Sequence, residues 1–338
     1  TKYGIDQTLS DDHIMVFDER YTKGHQNRQY FHRLIQMPVT EFVESQRNGS
    51  FQATKHKIRT TFKYSGKGID LTDSEIKVMC AVICDGSFYS NSNPNRDSWT
   101  TCRFHIKKNR KKLALISLFE EANIEYKIVP SANKDYTDFY IKAPRREKVF
   151  SDYWYNCNNH QLNVICENIL QWDGSIYNNR MSFSTNVKEN ADFVQFAFSS
   201  IGYRAVVLEN NRVGQTHMAN GKEYKYKTID YCISITKRNL VGFASKKNTH
   251  NTEPTYIYDV VPQDGYKYCF KVPSEMLVLR RNGKIFITHN CGKTTSIQEL
   301  IQLMEDNDMS YTLLTPTGKA SKVLSEATHR SAQTIHRA

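Results

Sequence analysis

Three consecutive residues, His289, Asn290 and Cys291, carry side chains that together can break and remake a peptide bond. The amide of Asn290 can attack its own backbone carbonyl and close a succinimide, which breaks the bond to Cys291. His289 can hydrogen-bond that carbonyl oxygen as charge develops on it. The thiol of Cys291 is a nucleophile that can first accept an acyl group from upstream. The alternative interpretation is a strand that ends in an asparagine turn.

The same junction interrupts a second motif. Gly292-Lys293-Thr294 matches the end of a phosphate-binding loop, in which backbone N–H groups and a lysine hold phosphate oxygens. That loop needs a glycine five positions before Gly292, where this chain has Ile287. A β-branched residue resists positive φ and blocks close backbone approach. Excision of a segment ending at Asn290 would restore the loop, and this favours the peptide-bond chemistry.

With the apolar run 276–279 and residues 284–287 before it, the junction resembles the C-terminal end of an intein. The resemblance implies that Asn290 cyclises with help from His289, after Cys291 has accepted the upstream chain. Ser10-Asp-Asp-His13 is similar to the Thr-x-x-His motif of inteins, which implies that His13 polarises the first scissile amide. Cys269 lies where many inteins carry an Asp or a Cys that couples the two junctions. A buried core thiol is the equal alternative for Cys269.

Two apolar segments end in the same dipeptide. The predicted helix through Ile76 and Ile83 stops at Asp85-Gly86, and the one through Leu162 and Leu170 stops at Asp173-Gly174. A strand, a helix and a further strand follow each stop, which indicates an internal repeat of one α/β unit. Each Asp-Gly could by itself be an ordinary helix exit or turn.

The repeat resembles the LAGLIDADG homing endonucleases, through residues 78–86 in the first copy and 166–174 in the second. The second copy departs from the motif, with Glu167, Asn168 and Trp172 in place of small or apolar residues. The resemblance implies that Asp85 and Asp173 meet at two helix ends and hold Mg²⁺ between the scissile phosphates of double-stranded DNA. It also implies an endonuclease that acts as a monomer with an internal pseudo-dimer.

Basic residues follow the first motif and suit a polyanionic partner. The chain has 46 Lys and Arg against 35 Asp and Glu, a net charge of +11. Arg103, His105 and Lys107 alternate along one predicted strand and, with Lys108, are the predicted DNA contacts. A solvated charged surface is the alternative. Two further candidates for a basic residue near the metal end comparable strands in the two halves, namely Lys142 and Lys237.

Residues 291–338 resemble the start of a superfamily-1 DNA helicase of the RecD-like kind. A predicted helix from Thr295 through Met304, a buried strand 311–314 and the segment Pro316-Thr-Gly-Lys-Ala320 carry this resemblance. It implies that Gly292, Lys293 and Thr294 bind ATP in the host helicase after splicing. No acidic Mg²⁺-holding strand follows, so we expect no ATP hydrolysis by the chain as it stands.

The predicted architecture is therefore multi-domain and α+β: an all-β Hint-type splicing domain interrupted by a pseudo-twofold α/β endonuclease, with a partial P-loop tail. The predicted ranges are 1–66 and 246–290 for the splicing domain, 67–245 for the endonuclease (halves 67–150 and 151–245) and 291–338 for the host. We expect splicing to need no cofactor and to require a missing N-terminal intein and helicase segment.

No apolar run approaches spanning length, which predicts a protein that binds no membrane. The intein and helicase resemblances imply the cytoplasm of a prokaryotic or phage-infected cell. Without Cys-x-x-Cys, its eight cysteines are expected to be reduced thiols and not zinc ligands. Two other functions remain open. One is an ATP-binding helicase fragment with a DNA-binding accessory domain, and the other is an intein whose decayed nuclease only binds DNA.

Overall fold

The computed structural model describes residues 5–11, 13–23, 29–52, 55–88, 101–131, 135–178, 180–219, 221–242, 260–261, 265, 270, 272–289 and 293–337. The helices are α1 (Val39–Asn48), α2 (Asp73–Asp85), α3 (Asn109–Glu121), α4 (Asn159–Asp173), α5 (Lys188–Ser200), α6 (Lys293–Asp306) and α7 (Gly318–Thr328). The strands are β1 (Ile14–Lys23), β2 (Gln29–Pro38), β3 (His56–Arg59), β4 (Gly86–Phe88), β5 (Thr101–Ile106), β6 (Tyr126–Pro130), β7 (Thr137–Lys142), β8 (Gly174–Tyr177), β9 (Arg180–Thr185), β10 (Arg204–Asn210), β11 (Thr216–Ala219), β12 (Lys222–Lys225), β13 (Asp230–Thr236), β14 (Leu240–Gly242), β15 (Met276–Arg281), β16 (Lys284–His289), β17 (Leu313–Thr315) and β18 (Ala332–Thr334).

The first unit is a four-stranded sheet in the order β14-β3-β1-β2. Its apolar core joins Phe17, Phe42 and Ile58 to Phe286, which comes from β16 far along the chain. This unit is not all-β as predicted, because it contains the helix α1. That helix begins after Pro38 and buries Phe42 against the Phe17 ring. The apolar face of α1 is buried against the sheet, because apolar side chains on a helix are stabilised by packing. The strand β14 belongs to this sheet although it lies inside the range predicted for the endonuclease.

The middle of the chain contains the same α/β unit twice. In the first copy α2 precedes an antiparallel sheet in the order β4-β5-β7-β6, and in the second copy α4 precedes the order β8-β9-β13-β10. The helix α3 corresponds to α5, and the hairpin β11–β12 is an addition to the second copy. Buried side chains of both copies form one continuous core, in which α2 packs against α4. The order of elements is the one that the repeated sequence pattern predicts.

The hairpin β15–β16 is shared between the two units. It extends the second repeat sheet, whose full order is β15-β16-β10-β13-β9-β8, while β16 also packs on β1. Asn282 and Gly283 form its turn with positive φ at both positions, the geometry that Asn-Gly favours. Ile287 lies in β16 opposite Val278 and is therefore part of an extended strand rather than of a phosphate loop.

The C-terminal segment has α6, β17, α7 and β18, with β17 and β18 paired in parallel. The helix predicted through Met304 is confirmed as α6. The predicted buried strand 311–314 is only partly right, because β17 spans Leu313–Thr315 and Leu314 is 42% exposed. In the described part of the chain β17 has only β18 beside it, so one edge stays open. Among the described residues, every helix is too short or too polar to span a bilayer.

The six cysteines that the structure describes are all free thiols, as the sequence predicts. Cys80, Cys102, Cys157 and Cys166 are buried, and burial raises the pKa of the Cys102 thiol to about 11. They act as small apolar residues of the repeat core.

Phe286→Ala is expected to loosen the first unit although residue 286 lies on a distant strand. The loss of a buried ring should lower the free energy of unfolding by about 3–5 kcal/mol and speed amide exchange in β1 and β3. Hydrogen-exchange mass spectrometry measures both effects. Val278→Ala is the control, since Val278 is 44% exposed on the same hairpin and should change stability by less than about 0.5 kcal/mol. Unchanged exchange in β1 after Phe286→Ala would show that β16 is not part of this core.

Candidate active site

Matching caps start the two helices that end in aspartate. The Thr72 side chain accepts from the Glu75 N–H while the Glu75 carboxylate accepts from the Thr72 N–H, and Asn158 and Gln161 do the same on α4. Near these starts, the His160 ring nitrogen lies 2.6 Å from a carboxylate oxygen of Asp73. The paired starts and the packing between the helices bring their C-terminal ends to one place.

The residue after each aspartate has to be glycine, because a side chain there would clash with the preceding helical turn. Gly86 has φ −72° and Gly174 has φ −109°, so neither adopts the left-handed conformation of a common helix exit. A Cβ at Gly86 would lie 2.7 Å from the carbonyl oxygen of Val82, and one at Gly174 would lie 2.5 Å from that of Leu170. Each chain therefore turns directly from helix into strand against the last helical turn, which fixes the direction of the preceding aspartate.

The two aspartates meet at one lysine. The Lys111 ammonium lies 2.5 Å from a carboxylate oxygen of Asp85 and 3.5 Å from one of Asp173. Lys111 is on the first turn of α3 and is almost buried, with 10% of its side chain exposed. One ammonium thus reaches both carboxylates, which would otherwise repel each other at the negative ends of two helix dipoles.

A second lysine, Lys148, caps the last turn of α2. Its ammonium donates to the carbonyl oxygens of Val82, Ile83 and Cys84 at 2.9, 2.8 and 3.4 Å. Burial lowers the pKa of Lys148, and the neighbouring Cys84, Cys102, Asp85 and Asp173 oppose this effect. A cation at the end of α2 compensates the helix dipole and adds a donor at the carbonyls of its last turn, of which Val82 also accepts from the Gly86 N–H.

The electrostatic balance leaves Asp173 harder to ionise than an ordinary aspartate. Burial and the nearby charge of Asp85 raise the pKa of Asp173, and the charges of Lys111 and Lys148 oppose them. Its side chain is still 38% exposed, so it remains accessible to a ligand from solvent. A positive charge placed between the carboxylates would be favoured.

The twofold arrangement is broken at the position of Lys111. This lysine is the third residue of α3, and the third residue of α5 is Asn190. Asn190 is buried, accepts from the Phe150 N–H at 2.8 Å and donates to the Lys148 carbonyl at 3.4 Å. In the first half this position supplies an ammonium to the aspartates, whereas in the second it holds the backbone that carries Lys148.

The three residues that depart from the motif in the second copy fit into the structure without disturbing the helix packing. Glu167 is exposed, and Asn168 donates to the carbonyl of Val164 on its own helix at 2.7 Å. Trp172 is 2% exposed, and the Lys111 ammonium lies 5.9 Å from its ring centre. None of the three prevents α2 from packing against α4, and Trp172 forms part of the apolar surroundings of Lys111.

A cleft of about 670 Å³ opens beside the aspartates on the second half. Asp173, Cys84 and Lys148 line one end, and residues of β9, β13 and α5 line the rest, including Thr185, Asn190 and Tyr231.

Carboxylate oxygens at two adjacent helix ends are the hard donors that Mg²⁺ prefers. The described residues contain no cluster of three or more His, Cys, Asp or Glu that could hold a metal. Asp85 and Asp173 could supply two oxygen ligands to a divalent cation, and substrate and water would have to supply the rest. Such a cation would have to replace the Lys111 ammonium between the carboxylates.

The predicted DNA-contacting residues lie on and after β5. Arg103 donates to Asp138 at 2.9 Å, and a ring nitrogen of His105 lies 2.6 Å from the same carboxylate. Burial would raise the pKa of Asp138, but these hydrogen bonds outweigh it and hold that pKa below its usual value. Lys107 lies 2.9 Å from Asp135, and Lys108 is exposed at the start of α3.

The predicted lysines Lys142 and Lys237 are exposed, at the end of β7 and just after β13. In the described part of the chain, the lysine that forms ion pairs with the aspartates is Lys111. The available sequence signal was its place in the basic run 101–112, which gives no means of choosing among neighbours. Lys148 carried no signal, because a helix cap from a distant segment has no local pattern.

Some of the residues predicted for the peptide-bond junction and the phosphate loop lie outside the described residues. They are Cys269, Asn290, Cys291 and Gly292. A ring nitrogen of His13 lies 2.5 Å from the hydroxyl of Thr288, and both residues are buried. His289 lies 3.7 Å from a carboxylate oxygen of Glu275. The backbone of Lys293 and Thr294 forms the start of α6.

Comparison with known proteins gives partial matches. A family model described as an AAA domain matches residues 280–338. The ribonucleoside-diphosphate reductase subunit beta of Aquifex aeolicus (strain VF5) is 26% identical in an alignment of length 217 that covers 52% of this chain and 31% of that protein. The chain thus spans about a third of the length of this curated relative.

Solved structures similar to this one include homing endonucleases. Mesophilic variants of I-DmoI align over 48% of this chain and 88% of theirs, with 16% identity and a TM-score of 0.32. I-DmoI in complex with DNA and Mn aligns over 49% and 91%, with 15% identity and a TM-score of 0.29. Full-length WhiA from Thermatoga maritima aligns over 49% and 53%, with 10% identity and a TM-score of 0.31. At these TM-scores the function has to be inferred from the geometry of the chain itself.

Lys111→Met is expected to raise the pKa of Asp173 further above the usual aspartate value. The substitution removes the ammonium that favours the ionised carboxylate. A carboxyl-carbon NMR titration of Asp173 measures the change. Lys107→Met serves as the control, because Lys107 pairs with the exposed Asp135 and should leave Asp173 unaffected. An unchanged or lower Asp173 pKa in Lys111→Met would contradict the shared ion pair.

Proposed function

We propose that the repeated unit, residues 67–245, is a divalent-metal-dependent DNA endonuclease of the LAGLIDADG type. The observation that carries this proposal is the convergence of Asp85 and Asp173 at two adjacent helix ends, where one ammonium reaches both carboxylates. A purely structural pair of helices has no need for two acids at the ends where the dipoles disfavour them.

The two carboxylates would hold Mg²⁺, which when bound polarises a phosphoryl oxygen and lowers the pKa of bound water. Lys111 and Lys148 maintain charge balance before the cation binds, so that the aspartates can remain together in the folded chain. Because burial and Asp85 disfavour ionised Asp173, a bound cation relieves an unfavourable interaction that already exists.

Double-stranded DNA fits the remaining features. The net charge of +11 favours a polyanion, and Arg103, His105, Lys107 and Lys108 form a basic surface on and beside β5. Asp138 orients the side chains of Arg103 and His105 from the neighbouring strand β7. Side chains fixed in this way can contact base edges and phosphates with less loss of conformational entropy.

Asp85→Asn and Asp173→Asn should each lower the rate of Mg²⁺-dependent cleavage at least about 100-fold while leaving DNA binding within about threefold. The substrate is DNA that encodes the host domain without the insert, and gel analysis with and without Mg²⁺ gives the rate. Asp73→Asn is the matched control, since Asp73 lies at the opposite end of α2. DNA binding by the wild-type chain without cleavage would favour the decayed nuclease that only binds DNA.

We further propose that the first unit and the hairpin β15–β16 form an intein-type splicing domain. The supporting observation is the buried contact between His13 and Thr288, which join segments 275 residues apart directly beside His289. Phe286 in the core of the first sheet is a second link between these segments. Both contacts join the N-terminal and C-terminal parts of the predicted splicing domain, which supports the proposal.

In the proposed step, the side-chain nitrogen of Asn290 attacks its backbone carbonyl carbon and forms a carbon–nitrogen bond. The peptide bond to Cys291 breaks, and the amine of Cys291 leaves with a proton. Residues up to 290 then end in a succinimide, and no water or cofactor is consumed. His289 would hydrogen-bond the carbonyl oxygen, and Glu275 lies close enough to orient its ring.

Release of residues 291–338 should be abolished by Asn290→Ala and should proceed in the wild-type chain, as followed by mass spectrometry. Addition of a synthetic N-terminal intein piece should give a ligated product that contains Cys291. Asn307→Ala is the control, because Asn307 follows α6 and lies far along the chain from the junction. Persistence of release in Asn290→Ala would show that another residue breaks the chain.

For the host segment we propose a RecD-like helicase start, supported by the AAA-domain match and by α6, which begins at Lys293. ATP binding by Gly292, Lys293 and Thr294 would follow only after splicing restores the missing half of the loop. ATP binding by the unspliced chain would instead support an ATP-binding helicase fragment with an accessory DNA-binding domain.

A further inference from the structure

The hairpin β15–β16, which leads into the proposed splice junction, is held at its turn by the second endonuclease repeat. Its Gly283 carbonyl oxygen accepts two hydrogen bonds, one from the Val207 N–H of β10 at 2.8 Å and one from the Gln195 side chain of α5 at 2.7 Å. Gln195 is fully buried and also donates to the carbonyl of Ala205 at 3.0 Å. The buried amide of Gln195 therefore joins α5, β10 and the hairpin turn by specific hydrogen bonds.

The fit at this contact leaves no room for an extra atom. A Cβ at position 283 would lie 2.0 Å from the carbonyl oxygen of Val207, so the turn sits directly on β10. At the surface, Arg280 pairs with the carboxylate of Asp192 at 2.7 Å and donates to the Asp192 carbonyl at 2.9 Å. Asp192 and Gln195 are both on α5, and so one helix holds the hairpin in two places.

The other end of β16 belongs to the first unit. Thr288 contacts His13, and Phe286 packs in the core around Phe17. The strand therefore runs from an anchor in the endonuclease repeat to an anchor in the splicing unit, and His289 comes next to the second anchor. A strand that is fixed at both ends has little freedom to rotate about its axis, and that rotation would misdirect the junction.

We propose that the endonuclease repeat positions the splice junction, with Gln195 as the positioning residue that fixes the turn of the hairpin. This role rests on the proposed splicing function. It makes α5 and β10 part of the machinery for peptide-bond cleavage as well as part of the endonuclease fold. Removal of the repeat would release the turn of the hairpin even if the first unit stayed folded.

The test compares two buried glutamines of the same core in the full chain. Gln195→Met removes the amide that holds Gly283, and it is expected to slow release of residues 291–338 about tenfold. Gln161→Met is the matched control, because Gln161 is buried on α4 and donates to the carbonyl of Ile69 at 2.9 Å, away from the hairpin. It should destabilise the core to a similar extent and leave the release rate within about twofold.

Two further readouts separate positioning from general instability. Hydrogen exchange in residues 276–289 should rise in Gln195→Met and stay unchanged in Gln161→Met, and Mg²⁺-dependent DNA cleavage should be retained in Gln195→Met. If Gln195→Met does not fold, Arg280→Gln tests the same docking at a surface position, where the guanidinium is 31% exposed. It is expected to slow release about threefold.

The outcomes are distinct. Equal slowing by Gln195→Met and Gln161→Met would overturn the positioning role and assign the effect to lost stability. Release at the wild-type rate, with faster exchange in residues 276–289, would overturn it as well and leave the splicing proposal intact. A wild-type chain that never releases residues 291–338 would remove the splicing function itself, and the positioning role with it.

Discussion

Two carboxylates at the C-terminal ends of two packed helices are the electrostatic constraint on which the repeat depends. Each faces the negative end of its own helix dipole, and each repels the other. Lys111 between the carboxylates and Lys148 at the end of α2 offset both effects. In the proposed endonuclease, a divalent cation would take the place of the Lys111 ammonium between the carboxylates. Close helix packing and the two crowded glycines hold the aspartates in that position.

The two lysines come from elements that are not related by the internal repeat. Lys111 lies on α3 of the first half, whereas its counterpart on α5 is Asn190, which instead holds the backbone of Lys148. A symmetric pair of lysines at these helix ends would place two ammonium groups where one already reaches both acids. Asn190 also lines the cleft beside Asp173 in the second half.

The hairpin β15–β16 is a second constraint on the structure, because both units depend on it. Its strand β16 pairs with β10 of the second repeat sheet and also contributes Phe286 to the core of the first sheet. Neither unit is a freely separable module in this arrangement. The proposed chemistry at the junction and the proposed chemistry at the aspartates therefore share a structural element, although their reacting groups are different.

Local sequence patterns were sufficient for much of this fold. The repeated helix, Asp-Gly and strand pattern determined the duplicated unit, and Ile287, which does not fit a phosphate loop, lies in the extended strand β16. The residue types His289, Asn290 and Cys291 suggested the peptide-bond chemistry in the same way. These features depend on neighbours within a few residues, and backbone geometry and side-chain periodicity act over that distance.

Only the tertiary structure decided which lysine approaches the aspartates and what holds the junction strand. Lys142 and Lys237 end suitable strands, but Lys111 and Lys148 lie at the helix ends because of how α3 and the segment before Phe150 pack on α2. The contact of His13 with Thr288 spans 275 residues, and that of Gln195 with Gly283 spans 88. No local pattern encodes such contacts, since they arise from the burial of whole elements against one another.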